Sequence, residues 1–484
     1  MTEFPELQEA LSKWVSEAST RLSAEGDACY STTDHGHWQR DSDGVFRDIE
    51  RVVELWDRQS VNNLFDLPSW AGVLDVIRGD DRLNRQLDTL VGTTQGSHRF
   101  ETTGIGRRVL PRPNELGQLT ETFERRYAEL ENFLAADEIE YTVIWPLPGL
   151  ASAVLPVQLD SSLVLDAMSD REFGFALDTE VVRTLFPRER LLAPQAEQRT
   201  CARYRFNLPK VVGGQDVDEI FRVGEEIENR LRGMGSALEE SLALILTDTI
   251  GVAGRFSIVS EPGSPLSGGV GFQQSTLPQG TRLRRTQMSD SQATELREVW
   301  QLLRQPGLLQ RNKGLALTLR RLSYQAQRER PEDEMLDTMI AAEALYLTEL
   351  GNEPYRGELR YRLALRAALW ADPEQVGYTK SEVLGIMKSA YDARSAIAHG
   401  GTPKPDVMKV RGQRVSLEEL VNAAKSVIAA GCRAALIRAV APNGGWPPDW
   451  DALALGVSLG PESTSSIHNA HENEVHNEPT SEKA

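Results

Sequence analysis

The stretch YDARSAIAHGG, residues 391–401, brings two chemically capable side chains to the end of a helix. Arg394 continues a line of mostly apolar residues at helical spacing, which comprises Val383, Leu384, Met387, Tyr391, Ile397 and Ala398. His399 occupies the last turn, directly before Gly400 and Gly401. Glycines at that point favour a left-handed helix end, and Pro403 cannot continue the helix. The pattern therefore predicts a helix over 379–399.

The position of His399 favours a role in proton transfer. Carbonyl groups at a helix C-terminus stabilise a protonated imidazole, and histidine exchanges protons near neutral pH. Five residues of an ideal helix correspond to about 140° of rotation, so Arg394 and His399 do not share a face. We therefore expect an acid or base at the helix end and a cation on another side of the same helix.

Two further helices carry a charged residue where an apolar one is expected. Glu343 lies in the apolar stripe of a helix predicted at 333–349, and Arg366 lies in that of a helix predicted at 358–371. Because charged side chains are almost never fully buried unless they are paired, we expect Glu343 to pair with Arg366, Arg394 or both. Such a pair is either structural or part of a site, and most buried pairs are structural.

The helices around this constellation form one predicted domain, an all-α bundle over 291–441. The predicted helices span 292–304, 311–328, 333–349, 358–371, 379–399 and 416–440. Turn-forming sequences separate them, among them QPG, RPED, GNEP and ADPE. Short loops between helices favour antiparallel neighbours.

The remaining chain predicts a multidomain α+β protein. Residues 1–138 are predicted to be mainly helical, on the helical spacing of apolar residues in 46–59 and 116–134. Residues 139–290 are predicted to form a mixed α+β domain, with strands near 141–147, 201–208 and 254–261 and a helix near 216–233. Residues 442–484 are polar and acidic and are predicted to be a disordered tail.

Composition limits the classes of function. The chain has 484 residues and a formal net charge of −18, which disfavours non-specific coating of nucleic acid or of an anionic membrane. The N-terminus lacks the features of a signal peptide, and no stretch is predicted to span a bilayer. Three widely spaced cysteines predict no disulfide framework. We therefore expect a cytoplasmic protein.

Three segments together resemble the Apea-like branch of the HEPN superfamily: MIAAEALYL (339–347), LRYRLALRAALW (359–370) and YDARSAIAHGG (391–401). The last of them fits the family pattern of an arginine, four to six residues and a histidine. The resemblance implies a helical bundle that dimerises and a metal-independent endoribonuclease without a cofactor. It implies that Arg394 and His399 are catalytic, with Glu343, Arg366, Tyr391 and Ser395 in support. Many nucleases of the family have Asn, Asp or His where this chain has Ser395.

The resemblance leaves two functions open. One is RNA cleavage, in phage defence or under stress, with residues 1–290 sensing an unknown trigger or choosing the target. The other is a non-catalytic module for dimerisation or nucleic-acid binding, since the superfamily also contains members that lack activity. Between Arg282 and Arg330 there are eleven Lys or Arg residues against four acids, which favours an RNA-facing surface. A solvated helix face is the equally weighted alternative.

Other motifs give weaker signals. His35 and His37, with Asp34 and Cys29, have a spacing that could hold zinc, but a polar loop is the favoured interpretation. The glycine-rich stretch 263–272 lacks the ending of a phosphate-binding loop. Three histidines of the tail, His468, His471 and His476, suggest metal binding only weakly.

Overall fold

A computed structural model gives the fold of the chain. It describes residues 2–24, 29–40, 46–93, 96–147, 149–152, 154–170, 172–173, 199–212, 217–246, 254–259, 271–274, 286–324, 328, 330–348, 358–442 and 445–456. The predicted glycine-rich loop lies almost entirely outside these residues, and the three histidines of the tail lie wholly outside them. The chain divides into two compact units, of which unit 1 comprises 1–236 and 251–290, and unit 2 comprises 237–250 and 291–484. The four-part division made from the sequence stays a prediction.

Unit 1 combines helices with small sheets, in agreement with the α+β class predicted for the chain. Its helices are α1 (Pro5–Ala24), α2 (Arg58–Asn63), α3 (Pro68–Gly79), α4 (Asp81–Gln86), α5 (Thr102–Val109), α6 (Leu119–Ala135) and the greater part of α7 (Val217–Ile245), with 3-10 turns at Leu64–Asp66 and Pro113–Gln118. Its strands are β1 (Cys29–Arg40), β2 (Phe46–Trp56), β3 (Thr89–Thr93), β4 (Gly96–Phe100), β5 (Glu138–Pro146), β6 (Leu150–Ser152), β7 (Val157–Gln158), β8 (Leu163–Ala167), β9 (Thr200–Pro209), β10 (Val211–Val212), β11 (Gly254–Val259), β12 (Gly271–Gln274) and β13 (Thr286–Met288).

The largest sheet of unit 1 has six strands in the order β12–β11–β5–β9–β8–β7. In it, β5 and β9 run antiparallel with Tyr141 opposite Phe206 and Val143 opposite Tyr204. The core under α1, α3 and α6 includes Trp14, Trp70 and Tyr127, and it continues into β5 through Ile139 and Tyr141. This shared core is why the helical N-terminal region and the sheet belong to one unit.

One predicted helix of unit 1 is a strand. The segment 46–59 was expected to be helical, but Phe46–Trp56 is β2, antiparallel to β1, with a register shift between Asp34 and His37. The apolar residues of β2 fit a helical period as well as a strand. Pairing with the threonine-containing β1 decides between the two, and strand formation depends strongly on such context.

Unit 2 is helical apart from one short hairpin, within the part of the chain that the structure describes. Its helices are α8 (Asp290–Leu303), α9 (Leu308–Arg311), α10 (Lys313–Tyr324), α11 (Pro331–Tyr346), α12 (Leu359–Trp370), α13 (Pro373–Val376), α14 (Lys380–Ala398), α15 (Leu417–Val440) and α16 (Trp450–Ala454), and the hairpin pairs β14 (Lys409–Val410) with β15 (Gln413–Arg414). The six helices predicted for this region are confirmed, with ends that agree to within about a turn.

Helix α15 is the central helix of unit 2. It packs against α10, α11, α12 and α14. It is long and apolar enough to cross a bilayer, although the sequence had suggested no such stretch. Most of the helix is buried in the unit. The apolar stretch is therefore accounted for by the core that it fills.

Part of the predicted disordered tail is helical. Residues 442–484 were expected to be disordered, but the described residues 445–456 include α16, and Trp450 is buried. Trp446 and Trp450 pack edge to face against Trp370, with ring centroids 4.9 and 6.2 Å away. Two tryptophans bury enough apolar surface to hold this short segment, despite the polar composition that surrounds it.

Candidate functional site

Helix α14 presents the predicted catalytic residues at its C-terminal end. Its start is fixed by a capping box, in which Thr379 and Glu382 exchange side-chain and backbone hydrogen bonds. The buried face consists of Val383, Ile386, Met387, Ser389, Ala390 and Ala393. Arg394 and Tyr391 lie at the edge of this face and are partly exposed, as is Ser395. The prediction that Arg394 continues the core stripe is therefore wrong: at this end of the helix Ala390 and Ala393 are buried, and the arginine flanks them.

The end of α14 has the geometry expected from the glycine pair. Gly400 has a φ of 75°, in the left-handed region. The Gly401 N–H donates to the Ala396 carbonyl at 2.8 Å, and the Gly400 N–H donates to the Ile397 carbonyl at 2.9 Å. These two bonds form a Schellman motif, which satisfies carbonyls left over at the helix end. His399 is the C-cap and is exposed. Its imidazole is thus available to solvent and to a ligand.

Glu343 pairs with Arg394, one of the two partners predicted for it. An Oε atom of Glu343 lies 3.5 Å from an Nη atom of Arg394. The side chains are 32% and 30% exposed, respectively, so the pair is at the rim of the bundle and not in its interior. Pairs of this kind contribute little to the free energy of unfolding, because water solvates both charges.

Arg366 contacts the end of α11 and the aromatic cluster of α16. Its Nη1 donates to the main-chain carbonyl of Tyr346 at 2.7 Å. Its guanidinium also lies 5.1 Å from the ring centroid of Trp450, in a cation–π contact. Arg366 therefore joins the C-terminal end of α11 to α16, while Arg394 meets Glu343 at the rim.

Two acids nearby, each paired with arginine, were missed in the sequence. Asp337, about two helical turns before Glu343, is buried and pairs with Arg321 at 2.9 Å and Arg328 at 2.6 Å. Asp392, next to Tyr391, pairs with Arg360 of α12 at 2.6 Å. The only sequence signal for Asp337 was its position as an acid among apolar residues of α11. Its partner arginines are too far along the chain for a local pattern to reveal them.

Some arginines of the basic segment 282–330 make structural contacts within the protein. Arg321 and Arg328 hold Asp337, and Arg304 lies over the ring of Trp300 at 5.7 Å. Arg311, Lys313, Arg320 and Arg330 are exposed, whereas Arg282, Arg284 and Arg285 lie outside the described residues. The RNA-facing surface stays a prediction, and fewer arginines are available to form it.

Metal binding by the histidine motif stays untested. The backbone of Cys29, Asp34, His35 and His37 belongs to β1, but their side chains lie outside the described part of the structure. Among the side chains that are described, no group of three or more His, Cys, Asp or Glu residues is placed to hold a metal ion.

Comparison of the chain with models of known protein families, with curated proteins and with solved structures finds no match. The roles of the residues at the end of α14 are therefore inferred from their own geometry and from the resemblance described above.

Proposed function

We propose that unit 2 is an HEPN-type, metal-independent endoribonuclease in which Arg394 and His399 act on the scissile phosphate. The observation that carries this proposal is their accessibility. His399 is exposed at the end of α14, and Arg394 is partly exposed in a long contact with Glu343. A residue that served only the core would be buried and closely paired.

RNA supplies its own nucleophile in this reaction. The 2′-OH attacks the adjacent phosphorus while a histidine accepts its proton. The bond from phosphorus to the 5′-oxygen breaks, and a second histidine returns a proton to the leaving oxygen. The products are a 2′,3′-cyclic phosphate and a 5′-hydroxyl. Arginine guanidinium groups grip the phosphate and offset its growing negative charge.

The spacing of the motif favours a site shared by two copies of the chain. Residues five apart on an ideal helix point about 140° away from each other. Arg394 and His399 of one helix therefore face different directions, and a second α14 would complete the set with one more arginine and one more histidine. Glu343 would hold Arg394 in position until a phosphate replaces it.

The test is cleavage of RNA by the purified full chain in EDTA, with analysis of the product ends. We expect wild type to leave 2′,3′-cyclic phosphates, and His399→Ala and Arg394→Ala to lose cleavage while remaining folded. Arg414→Ala is the matched control, because Arg414 is a surface arginine paired with Asp406 at 2.5 Å. Cleavage by His399→Ala equal to that of wild type would show that another residue, or a contaminant, is responsible.

A non-catalytic module for dimerisation or nucleic-acid binding is the alternative, and the Glu343–Arg394 pair is the observation that favours it. In that case the pair is structural, and its loss destabilises the bundle. Absence of cleavage by wild type, together with a marked loss of stability in Arg394→Ala, would favour this alternative over the nuclease. Phage defence or stress-induced cleavage is the physiological role that the resemblance suggests for the active form.

A further inference from the structure

A basic cavity lies in unit 1, far along the sequence from the motif of α14. It has a volume of about 610 Å³ and lies between the end of β2, helix α5 and helix α6. Five arginines line it: Arg58, Arg107, Arg108, Arg112 and Arg126. Glu129 is the one acidic residue among the lining side chains. This excess of positive charge occurs in a chain whose formal net charge is −18.

Two of these arginines make side-chain hydrogen bonds that hold their guanidinium groups. Arg126 pairs with Glu115 at 2.5 Å and also donates to the Leu110 carbonyl. Arg107 donates to Asn62 Oδ1 at 2.7 Å. Fixed guanidinium groups lose little conformational freedom when they bind an anion, so a site built from them is already organised for its ligand.

Burial adds to the attraction for an anion. Removal from water lowers the pKa of Arg108, whose guanidinium lies 5.8 Å from the ring centroid of Phe100. A cation that has lost part of its hydration gains more from a negative ligand than a fully exposed one does. Glu115 pairs with Arg126, and Glu129 is the one acid among the described residues that line the cavity.

The rest of the cavity wall is apolar and includes an aromatic ring. The Trp56 Nε1 donates to the Pro111 carbonyl at 2.7 Å, which fixes the indole against the wall. Val61, Leu110 and Leu130 complete this side. Cavities of roughly 300 to 1,000 Å³ with apolar walls and a few placed charged groups are typical of sites for small molecules.

We propose that this cavity binds a small molecule with at least two linked phosphate groups, of the kind found in nucleoside diphosphates and triphosphates. Guanidinium groups recognise phosphate through paired hydrogen bonds, and several are needed for several phosphates. Inorganic polyphosphate shares this chemistry. The aromatic wall at Trp56 favours the nucleotide, because a base can pack against it. All the residues lie in unit 1, so the proposal does not rest on the nuclease function.

The experiment is calorimetric titration of the full chain at low ionic strength in EDTA, which leaves the phosphates without a metal ion. The probes are adenosine triphosphate, inorganic tripolyphosphate and adenosine. The test variant is Arg58→Ala/Arg112→Ala, which removes two exposed arginines from the cavity rim. The control is Arg78→Ala/Arg85→Ala, which removes the same charge from exposed positions of unit 1 outside the cavity. Thermal unfolding shows that each variant is folded.

We expect wild type and the control to bind the triphosphate equally, and the cavity variant to bind it at least about tenfold more weakly, because charge-assisted hydrogen bonds are strong. Tighter binding of adenosine triphosphate than of tripolyphosphate assigns the nucleotide, and equal binding assigns the polyphosphate. The proposal is overturned if neither compound binds, if both variants weaken binding equally, or if adenosine binds as tightly as its triphosphate.

Discussion

Helix α11 carries two contacts between a carboxylate and arginine that differ in burial and in distance. Asp337 is buried, with 4% of its side chain exposed, and meets Arg321 and Arg328 at 2.9 and 2.6 Å. Glu343, about two turns further along, is 32% exposed and lies 3.5 Å from Arg394. The first contact consists of charge-assisted hydrogen bonds in a shielded place, whereas the second is a loose ion pair beside solvent.

The difference separates two uses of the same chemistry. Two short bonds to a buried carboxylate stabilise one arrangement of α10 and α11, because removing either partner strands a charge. A long contact at the rim can be exchanged for a contact with a ligand at little cost. Asp337 is therefore a structural residue, and Glu343 with Arg394 has the properties of a site.

Asp337→Asn gives the largest loss of stability. The substitution removes the negative charge and leaves two arginines facing a neutral amide. We expect the free energy of unfolding to fall by about 3 kcal/mol, near the lower end for a broken buried pair, because both arginines keep some exposure. Urea denaturation measures it. A loss below about 1 kcal/mol would place Asp337 in the same class as a surface pair.

Gly431→Ala tests how firmly the C-terminal end of α11 is packed. A Cβ at Gly431 would lie 2.2 Å from the Tyr346 hydroxyl oxygen and 3.4 Å from Trp370 Cδ1. Since overpacking strains a full core, we expect a loss of about 2 kcal/mol in the free energy of unfolding. The control is Gly385→Ala in α14, where a Cβ meets nothing within 4 Å. It should be neutral or stabilising by up to about 1 kcal/mol, because alanine favours helix.

Equal stability of the two glycine variants would mean that Tyr346 moves aside easily. The C-terminal end of α11 would then repack easily. The whole of that end, and not only the rim at Glu343, would differ from the firmly held Asp337.

Glu240 lies in the part of α7 that belongs to unit 2, and it makes the free energy of unfolding depend on pH. Burial raises its pKa from 4.5 to about 7, and Glu239 acts in the same direction, while Arg320 opposes them. The pKa is higher in the folded state, so this contribution to stability is fully present below pH 4.5 and is lost as pH rises through about 7.

Glu240→Gln should therefore be more stable than wild type by about 1 to 2 kcal/mol at pH 8, with the difference vanishing near pH 4.5. The measurement is denaturant unfolding across that range. Glu298→Gln, at an exposed position, is the control and should show no such trend. A constant difference between Glu240→Gln and wild type at every pH would refute the assignment.

Arg394→Ala has the smallest predicted effect on stability, below about 1 kcal/mol, because an exposed ion pair contributes little. Arg360→Ala breaks the comparable pair with Asp392, in which the arginine side chain is 47% exposed. It should lower the free energy of unfolding by an equally small amount. A loss above about 2 kcal/mol for Arg394→Ala alone would make the pair structural, in agreement with the non-catalytic alternative and against the contrast drawn for α11.

The helices of unit 2 could be predicted from the sequence because their signals are local. The apolar period of α14, its Thr379–Glu382 capping box and the Gly400–Gly401 end all lie within one stretch. The exposure of His399 follows from the same stretch, since a residue at a glycine-terminated helix end has few neighbours. Arg366, Arg394 or both were predicted to pair with Glu343, and only packing could show the contact with Arg394.

The wrong predictions share one cause, which is a partner distant in sequence. The β2 strand depends on its pairing with β1, and α16 depends on Trp370 to bury its tryptophans. The edge position of Arg394 depends on which side of α14 meets α11, α12 and α15. A periodic pattern defines a stripe only to within neighbouring positions, so a charged residue at its border can be taken for a core residue.

The sequence by itself determined the order of helices in unit 2, the helix end at His399 and the acidic character of the chain, because each depends on neighbouring residues or on composition. Only the tertiary structure decided that Asp337 is shielded while Glu343 is accessible, and that five arginines converge on one cavity of unit 1. Burial and convergence arise when segments far apart in the chain pack together, and no local pattern encodes them.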